Sequence, residues 1–240
     1  MWNNAWFITK HELKRSNWGK LASVIMYLYF GVFSAFIVGA MYAEAGGELK
    51  GGISIPADIV FLTAMCCIGF AMSADYVTFH KTDIFTRKLQ YMRQLPIGPS
   101  ELVTARYLQI AITTVAQSLL FFIPFYFISD MGRLLTPAQF VGFALIWIAL
   151  GICICLALTY MEMGLSGKKY FLFNMIIVFM LVAAASTAGY FGISLVDLTV
   201  RGAATFGVWM SLAGLVIAIL SGCVWFRLTE RKIRSRSFIK

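Results

Sequence analysis

The run Leu21-Ala22-Ser23-Val24-Ile25-Met26-Tyr27-Leu28-Tyr29-Phe30-Gly31-Val32-Phe33-Ser34-Ala35-Phe36-Ile37-Val38-Gly39-Ala40-Met41-Tyr42-Ala43 carries no charge. As a helix it is long enough to cross ~30 Å of hydrocarbon with some tilt. It reads as a membrane span, which decides the fold class. Gly31, Ala35, Gly39 and Ala43 recur every four residues along it, a smooth stripe on which another helix can approach closely, either within one bundle or between subunits. Upstream, residues 1–20 mix Trp2, Trp6 and Trp18 with Lys10, Lys14, Arg15 and Lys20, as expected of an elbow helix lying in the headgroup plane. A signal peptide is the rival reading, but the apolar run is too long for its hydrophobic region.

The rest of the composition agrees. The 240 residues are 60% hydrophobic and 13% charged, against about 25% charged in a soluble domain. All five cysteines, Cys66, Cys67, Cys153, Cys155 and Cys223, fall in apolar runs, so neither a disulfide framework nor a metal knuckle is implied.

Five further spans follow, at about 55–74, 107–129, 138–160, 171–190 and 203–226. Pro56 opens the second in a favoured position of a first helical turn. Asp58 lies near that span's outer end, where it can contact a substrate or favour the helix N-terminus while reaching water. Pro124 predicts a kink in the third span. Gln109, Thr113 and Gln117 are spaced by four on the third span, and Asn174 is polar in the fifth. These four are candidate pathway-lining residues, with interhelical hydrogen bonding as the alternative. In the sixth span Gly214, Ala218 and Gly222 repeat the four-residue spacing, so with Gly31, Ala35 and Gly39 they are candidate helix-packing positions. Residues 191–202, with Asp197 and Arg201, read as a segment along the outer interface.

Net charge is +9, and its placement matters more than its size. With these spans, seventeen of the Lys and Arg residues fall on one side, in the N-terminal segment, the loop after span two, the turn after span four and the tail 227–240. Only Lys50, Arg133 and Arg201 fall on the other. The asymmetry predicts both termini in the cytoplasm, with the basic tail drawn to anionic lipid and no nucleic-acid partner required. One transmembrane domain over residues 1–240 is the simplest division.

The longest inner loop holds Asp83-Ile84-Phe85-Thr86-Arg87-Lys88-Leu89-Gln90-Tyr91-Met92-Arg93-Gln94-Leu95-Pro96. Phe85, Leu89 and Met92 share one face of a short helix, with Asp83 placed to cap its first turn and Pro96 to end it. Ser100 is expected to cap the next helix, with Glu101 in its first turn.

Elbow, six spans, short outer loops and this inner loop resemble the membrane (permease) subunits of ATP-binding-cassette type-2 exporters. The local likeness is Arg87 to Ile97 followed by Glu101 to Tyr107. It includes the Leu95-Pro96 turn and an Arg at the membrane surface, Arg106; the family often has Glu where this chain has Asp83. The resemblance implies that residues 83–93 form a cytoplasmic coupling helix that docks on a separate ATPase, through Asp83, Phe85, Arg87, Leu89, Tyr91, Met92 and Arg93. It further implies two ATPase subunits holding ATP and Mg, and a second permease subunit, identical or homologous. The cargo would be amphipathic or hydrophobic: a peptide, drug or lipid.

The chain itself has no phosphate-cradling loop. The nearest string, Gly164 to Lys169, has the wrong spacing. Its two histidines, His11 and His80, stand far apart in inner, charged regions, and no nucleophile and base pair lies at bilayer depth. We therefore expect no catalysis and no metal or cofactor in this chain. The expected role is a permease in the plasma membrane, and the alternatives are an ATP-independent secondary carrier or a scaffold or sensor without transport.

Overall fold

The computed structural model describes residues 2–15, 17–44, 51–72, 83–94 and 96–235. Among them the secondary structure is helical: α1 Trp2–Arg15, α2 Asn17–Glu44, α3 Gly51–Cys67, α4 Ile84–Gln94, α5 Pro99–Ile128, α6 Met131–Leu134, α7 Pro137–Gly164, α8 Gly167–Tyr190, α9 Leu195–Phe206 and α10 Val208–Ser235. Five helices, α2, α5, α7, α8 and α10, are long and apolar enough to cross a membrane, and the chain is an all-α polytopic membrane protein.

Several boundaries differ from the sequence expectation, each for a local reason. The second span does not run from 55 to 74 as one helix. It begins at Gly51, which puts Pro56 inside it, and stops at Cys67 in a turn where Gly69 takes φ +87°. At ~1.5 Å per residue its 17 residues reach only ~25 Å. The third span starts at Pro99, with Gly98 as the capping residue and Ser100 already inside. Glu101 Oε2 accepts from Gly98 N at 3.2 Å, which closes the first turn. The fourth and fifth spans grow toward each other until only Leu165 and Ser166 separate them. At the start of α7, Thr136 and Gln139 form a reciprocal cap, with Pro137 in the first turn.

The sixth span begins at Val208, not at 203. Residues 203–206 belong to α9, and Gly207, at φ +48°, breaks the chain between the two helices. The segment 191–202 is thus largely a helix, capped by Ser194 Oγ, which accepts from Asp197 N at 3.3 Å. At the other end α10 runs on to Ser235, so most of the expected tail is helix, with Thr229 and Ile233 buried. In place of one elbow, Trp2–Arg15 form α1 and Asn17 opens α2.

The stripe on α2, and Gly214 of the stripe on α10, pack within this chain. A Cβ on Gly31 would come within 2.6 Å of Phe121 O, so α2 and α5 touch there backbone to backbone, with buried Ala35 continuing the contact and Gly39 near Ser129. A Cβ on Gly214 would come within 3.0 Å of Leu145 O on α7. Ala218 is half-buried, while a side chain at Gly222 would meet only open space. At the centre Phe61 of α3 is enclosed by Phe121, Phe125, Phe143 and Trp147, with ring centroids 5.1–5.9 Å apart and mostly edge-on.

The packing sorts helix ends into two groups. One end collects α1, α4, the first turns of α5 and α8 and the last turns of α7 and α10. The other collects α9 with the last turn of α2 and the first part of α3: Tyr42 donates to Asp197 at 3.2 Å, and Asp58 meets the start of α9.

Candidate functional site

The end that gathers α1, α4, α5, α7 and α8 carries most of the basic residues, and ion pairs and caps build it. Asp83, in the left-handed region at φ 45°, ends the chain's approach to α4. Its carboxylate accepts from Thr86 Oγ1 at 2.9 Å inside its own first turn, as the sequence suggests, and also from Gly167 N at 2.7 Å in the first turn of α8. One acid thus ties two helix N-termini, where backbone N–H groups lack helical partners and the dipole favours negative charge.

The apolar face of α4 packs in part against the chain's own helices. Phe85 stacks edge-on against Tyr170 of α8 at 5.8 Å, Leu89 is buried, and Met92 is half-buried. Together with Ile8, Leu102 and Met163 these three line a recess of about 70 Å³ between α1, α4, α5 and α7. Lys88 and Glu12 close one side of it with an ion pair at 2.6 Å. The chain's own helices thus cover Leu89 fully and Phe85 and Met92 in part, where the sequence expectation placed all three on an open docking face. Arg87, Tyr91 and Gln94 face outward, with Tyr91 65% exposed. The Arg93 side chain lies outside the described residues.

Beneath the recess, Arg106 of α5 pairs with Glu162 of α7 at 2.8 Å and donates to Gln109 Oε1 at 2.8 Å. The guanidinium also lies 5.7 Å from the Phe70 ring centroid. Both side chains of the pair are largely buried, so removing either partner would strand a charge. Sequence reasoning placed Arg106 at the membrane surface and Glu162 in a turn. The signal that could have joined them is two opposite charges at the inner ends of adjacent long spans.

Two of the three polar residues of the third span, Thr113 and Gln117, meet one feature, the end of α3. Gln117 Oε1 accepts from Gly69 N at 2.7 Å, Gln117 Nε2 donates to Phe70 O at 2.8 Å, and Thr113 Oγ1 donates to Gly69 O at 2.7 Å. Ser23 Oγ of α2 accepts from Met72 N at 2.9 Å. Gln109 sits one turn away on Arg106. Asn174 is not part of this group; it is half-buried on α8, and its side-chain partner is Tyr170.

At the far end Asp58 does not reach water. It is 0% exposed, and its carboxylate accepts from Ser194 Oγ at 3.2 Å and from Leu195 N and Val196 N at 2.9 Å each. The helix it caps is α9, not its own. Arg201 pairs with Asp197 at 2.8 Å beside it. Among the described residues there is no cluster of three or more His, Cys, Asp or Glu able to hold a metal ion.

No family model, curated protein or solved structure matches the chain.

Proposed function

We propose that this chain is the permease subunit of an exporter driven by a separate ATPase, similar in plan to the ATP-binding-cassette type-2 exporters. The observation that carries the reading is the clamping of α4. A short amphipathic helix at the basic end is joined to α1 through Lys88–Glu12, to the first turn of α8 through Asp83–Gly167, and to the body of α8 through Phe85–Tyr170. A push on the outer side of α4 would therefore be passed to helices that run the length of the bundle. The contact surface on the ATPase side would be Arg87, Tyr91 and Gln94, with Phe85, Leu89 and Met92 as the linkage beneath.

In this reading α1 is the interfacial elbow, its Trp2, Trp6 and Phe7 exposed toward the headgroups and Thr9 fastened to Ala105 O at 2.9 Å. The five long helices and the interrupted α3 make six crossings. The basic end is cytoplasmic, because that is where Lys and Arg concentrate. ATP and Mg belong to two partner subunits, a second permease completes the pathway, and the cargo is an amphipathic or hydrophobic peptide, drug or lipid.

One observation favours a second reading, an ATP-independent carrier. Carriers place the ends of broken helices at their binding sites, and α3 stops at Cys67 in a turn at Ile68–Gly69. Against it, the exposed backbone there already has Gln117, Thr113 and Ser23 as partners.

The deciding experiment reconstitutes the purified chain in liposomes with and without candidate ATPase subunits. Cargo movement should require the ATPase and hydrolysable nucleotide. A cross-linker attached at Tyr91→Cys should capture the ATPase, and one at Leu119→Cys, on the exposed apolar face of α5, should not. Movement driven by an ion gradient without ATP would replace this reading with the carrier.

A further inference from the structure

Where α10 leans against α7 it leaves a lateral groove beside α5. Tyr107 and Phe226, edge-on at 5.5 Å, flank it, and Ile219, Gly222, Cys223 and Arg227 line the rest. Its volume is about 390 Å³, within the roughly 300–1,000 Å³ range of ligand sites, and its walls are almost wholly apolar. It persists because Gly222 has no side chain: a Cβ there would meet nothing within 4 Å.

The groove has a polarity along its length. Ile219, Cys223, Arg227 and Arg231 are spaced by four, so they follow one stripe of α10. Two turns are apolar, and the next two carry guanidinium groups about 6 Å apart along the axis. Arg227 and Arg231 are exposed and make no ion pair among the described residues, in contrast to Arg234, which pairs with Glu230 at 2.6 Å. Two exposed arginines above an apolar slot, at the basic end of a membrane-spanning helix, match a molecule with a hydrocarbon chain and an anionic phosphate head.

We propose that the α5–α10 groove binds one anionic glycerophospholipid, an acyl chain against Ile219, Gly222 and Tyr107 and the phosphate between Arg227 and Arg231. Charge selects this occupant over a second copy of the chain. A two-fold interface through this stripe would set the same arginines against each other, and like charges across an interface are strongly disfavoured. The inference needs only that α10 lies in a membrane; it is independent of the ATPase-driven reading.

The test is native mass spectrometry of the purified full chain, delipidated and titrated with phosphatidylglycerol or phosphatidylcholine of matched acyl chains. The wild-type chain should retain one phosphatidylglycerol with about tenfold preference or more, the scale expected of two basic residues near an anionic headgroup. Arg227→Gln with Arg231→Gln should bring the two lipids to parity, while Arg234→Gln leaves the preference intact. Gly222→Leu, which fills the slot, should reduce retention of both lipids; if it fails to fold, Cys223→Phe at an exposed position reads the same groove.

Four outcomes would overturn the proposal. They are equal retention of both lipids by the wild-type chain, an unchanged preference in the double arginine variant, displacement by inorganic phosphate alone, and rapid Cys223–Cys223 cross-linking of two copies that saturating phosphatidylglycerol does not slow. Failure of ATP-driven transport would leave all of these readings unaffected.

Discussion

Gln117 holds the backbone of Gly69 at the point where α3 stops: its amide oxygen accepts from Gly69 N at 2.7 Å, and its amide nitrogen donates to Phe70 O. In a helical membrane protein, every backbone group not paired along a helix needs another partner. One side chain supplies two of them, with Thr113 adding a third at Gly69 O.

Gln117→Leu should therefore destabilise the purified protein by about 2–4 kcal/mol, because two buried backbone groups lose their partners at ~1–3 kcal/mol each. Thr113→Val should cost about half as much, and Val115→Leu on the exposed side of α5 should be close to neutral. Thermal unfolding in detergent reads all three. If Gln117→Leu matches Val115→Leu, the clamp on α3 carries no stability.

Asp58 is the other buried anchor, reaching from α3 to the N-terminus of α9. Asp58→Leu should be among the most damaging single substitutions in the chain, roughly 3 kcal/mol or more, since it leaves the N–H groups of Leu195 and Val196 and the Ser194 hydroxyl without their acceptor. Asp58→Asn keeps one acceptor oxygen and should cost less. Ser194→Ala removes a cap and should cost about 1 kcal/mol. The order Leu, Asn, then Ser194→Ala in unfolding midpoint is the check, and a neutral Asp58→Leu would refute it.

Asp83→Ala should loosen α4 without unfolding the bundle, because the bond to Gly167 is lost while the core around Phe61 is untouched. Limited trypsinolysis in detergent should cut after Arg87 or Lys88 several-fold faster than in the wild-type chain, at an almost unchanged unfolding midpoint. Phe85→Ala with Leu89→Ala should speed the same cleavage, with a lowered midpoint because Leu89 is buried, since these side chains pack on α8 and line the recess beside α1. Unchanged cleavage in both would mean that α4 is held by something else.

The basic end should face the cytoplasm. With the native cysteines replaced by alanine, Gly98→Cys should label only after the membrane is opened, and Arg133→Cys, on an arginine side chain 81% exposed at the other end, should label from outside intact cells. The reverse pattern would invert the topology.

The sequence alone determined the class. Charge-free runs such as Leu21–Ala43 can be read without a structure because crossing ~30 Å of hydrocarbon is a demand on composition and length, both of which are local. The five long helices answer to that demand. The short amphipathic helix is legible for another local reason, the spacing of Phe85, Leu89 and Met92 along one face, and it appears as α4. The capping box at Thr136 and Gln139 is equally local.

Tertiary structure alone decided what meets what. Asp83 reads as a cap for its own helix yet also serves α8, 84 residues away along the chain. Asp58 caps a helix that begins 137 residues later, and Arg106 finds Glu162 across two spans. The break at Gly69 was hidden because the run from Ile59 to Met72 carries no charge, and hydropathy does not distinguish a helix that crosses from one that stops short. What permits the break is the side chain of Gln117, on another helix. Composition selects the solvent, but partners for buried polar groups are found only when distant segments are brought together, so they cannot be read from either segment alone.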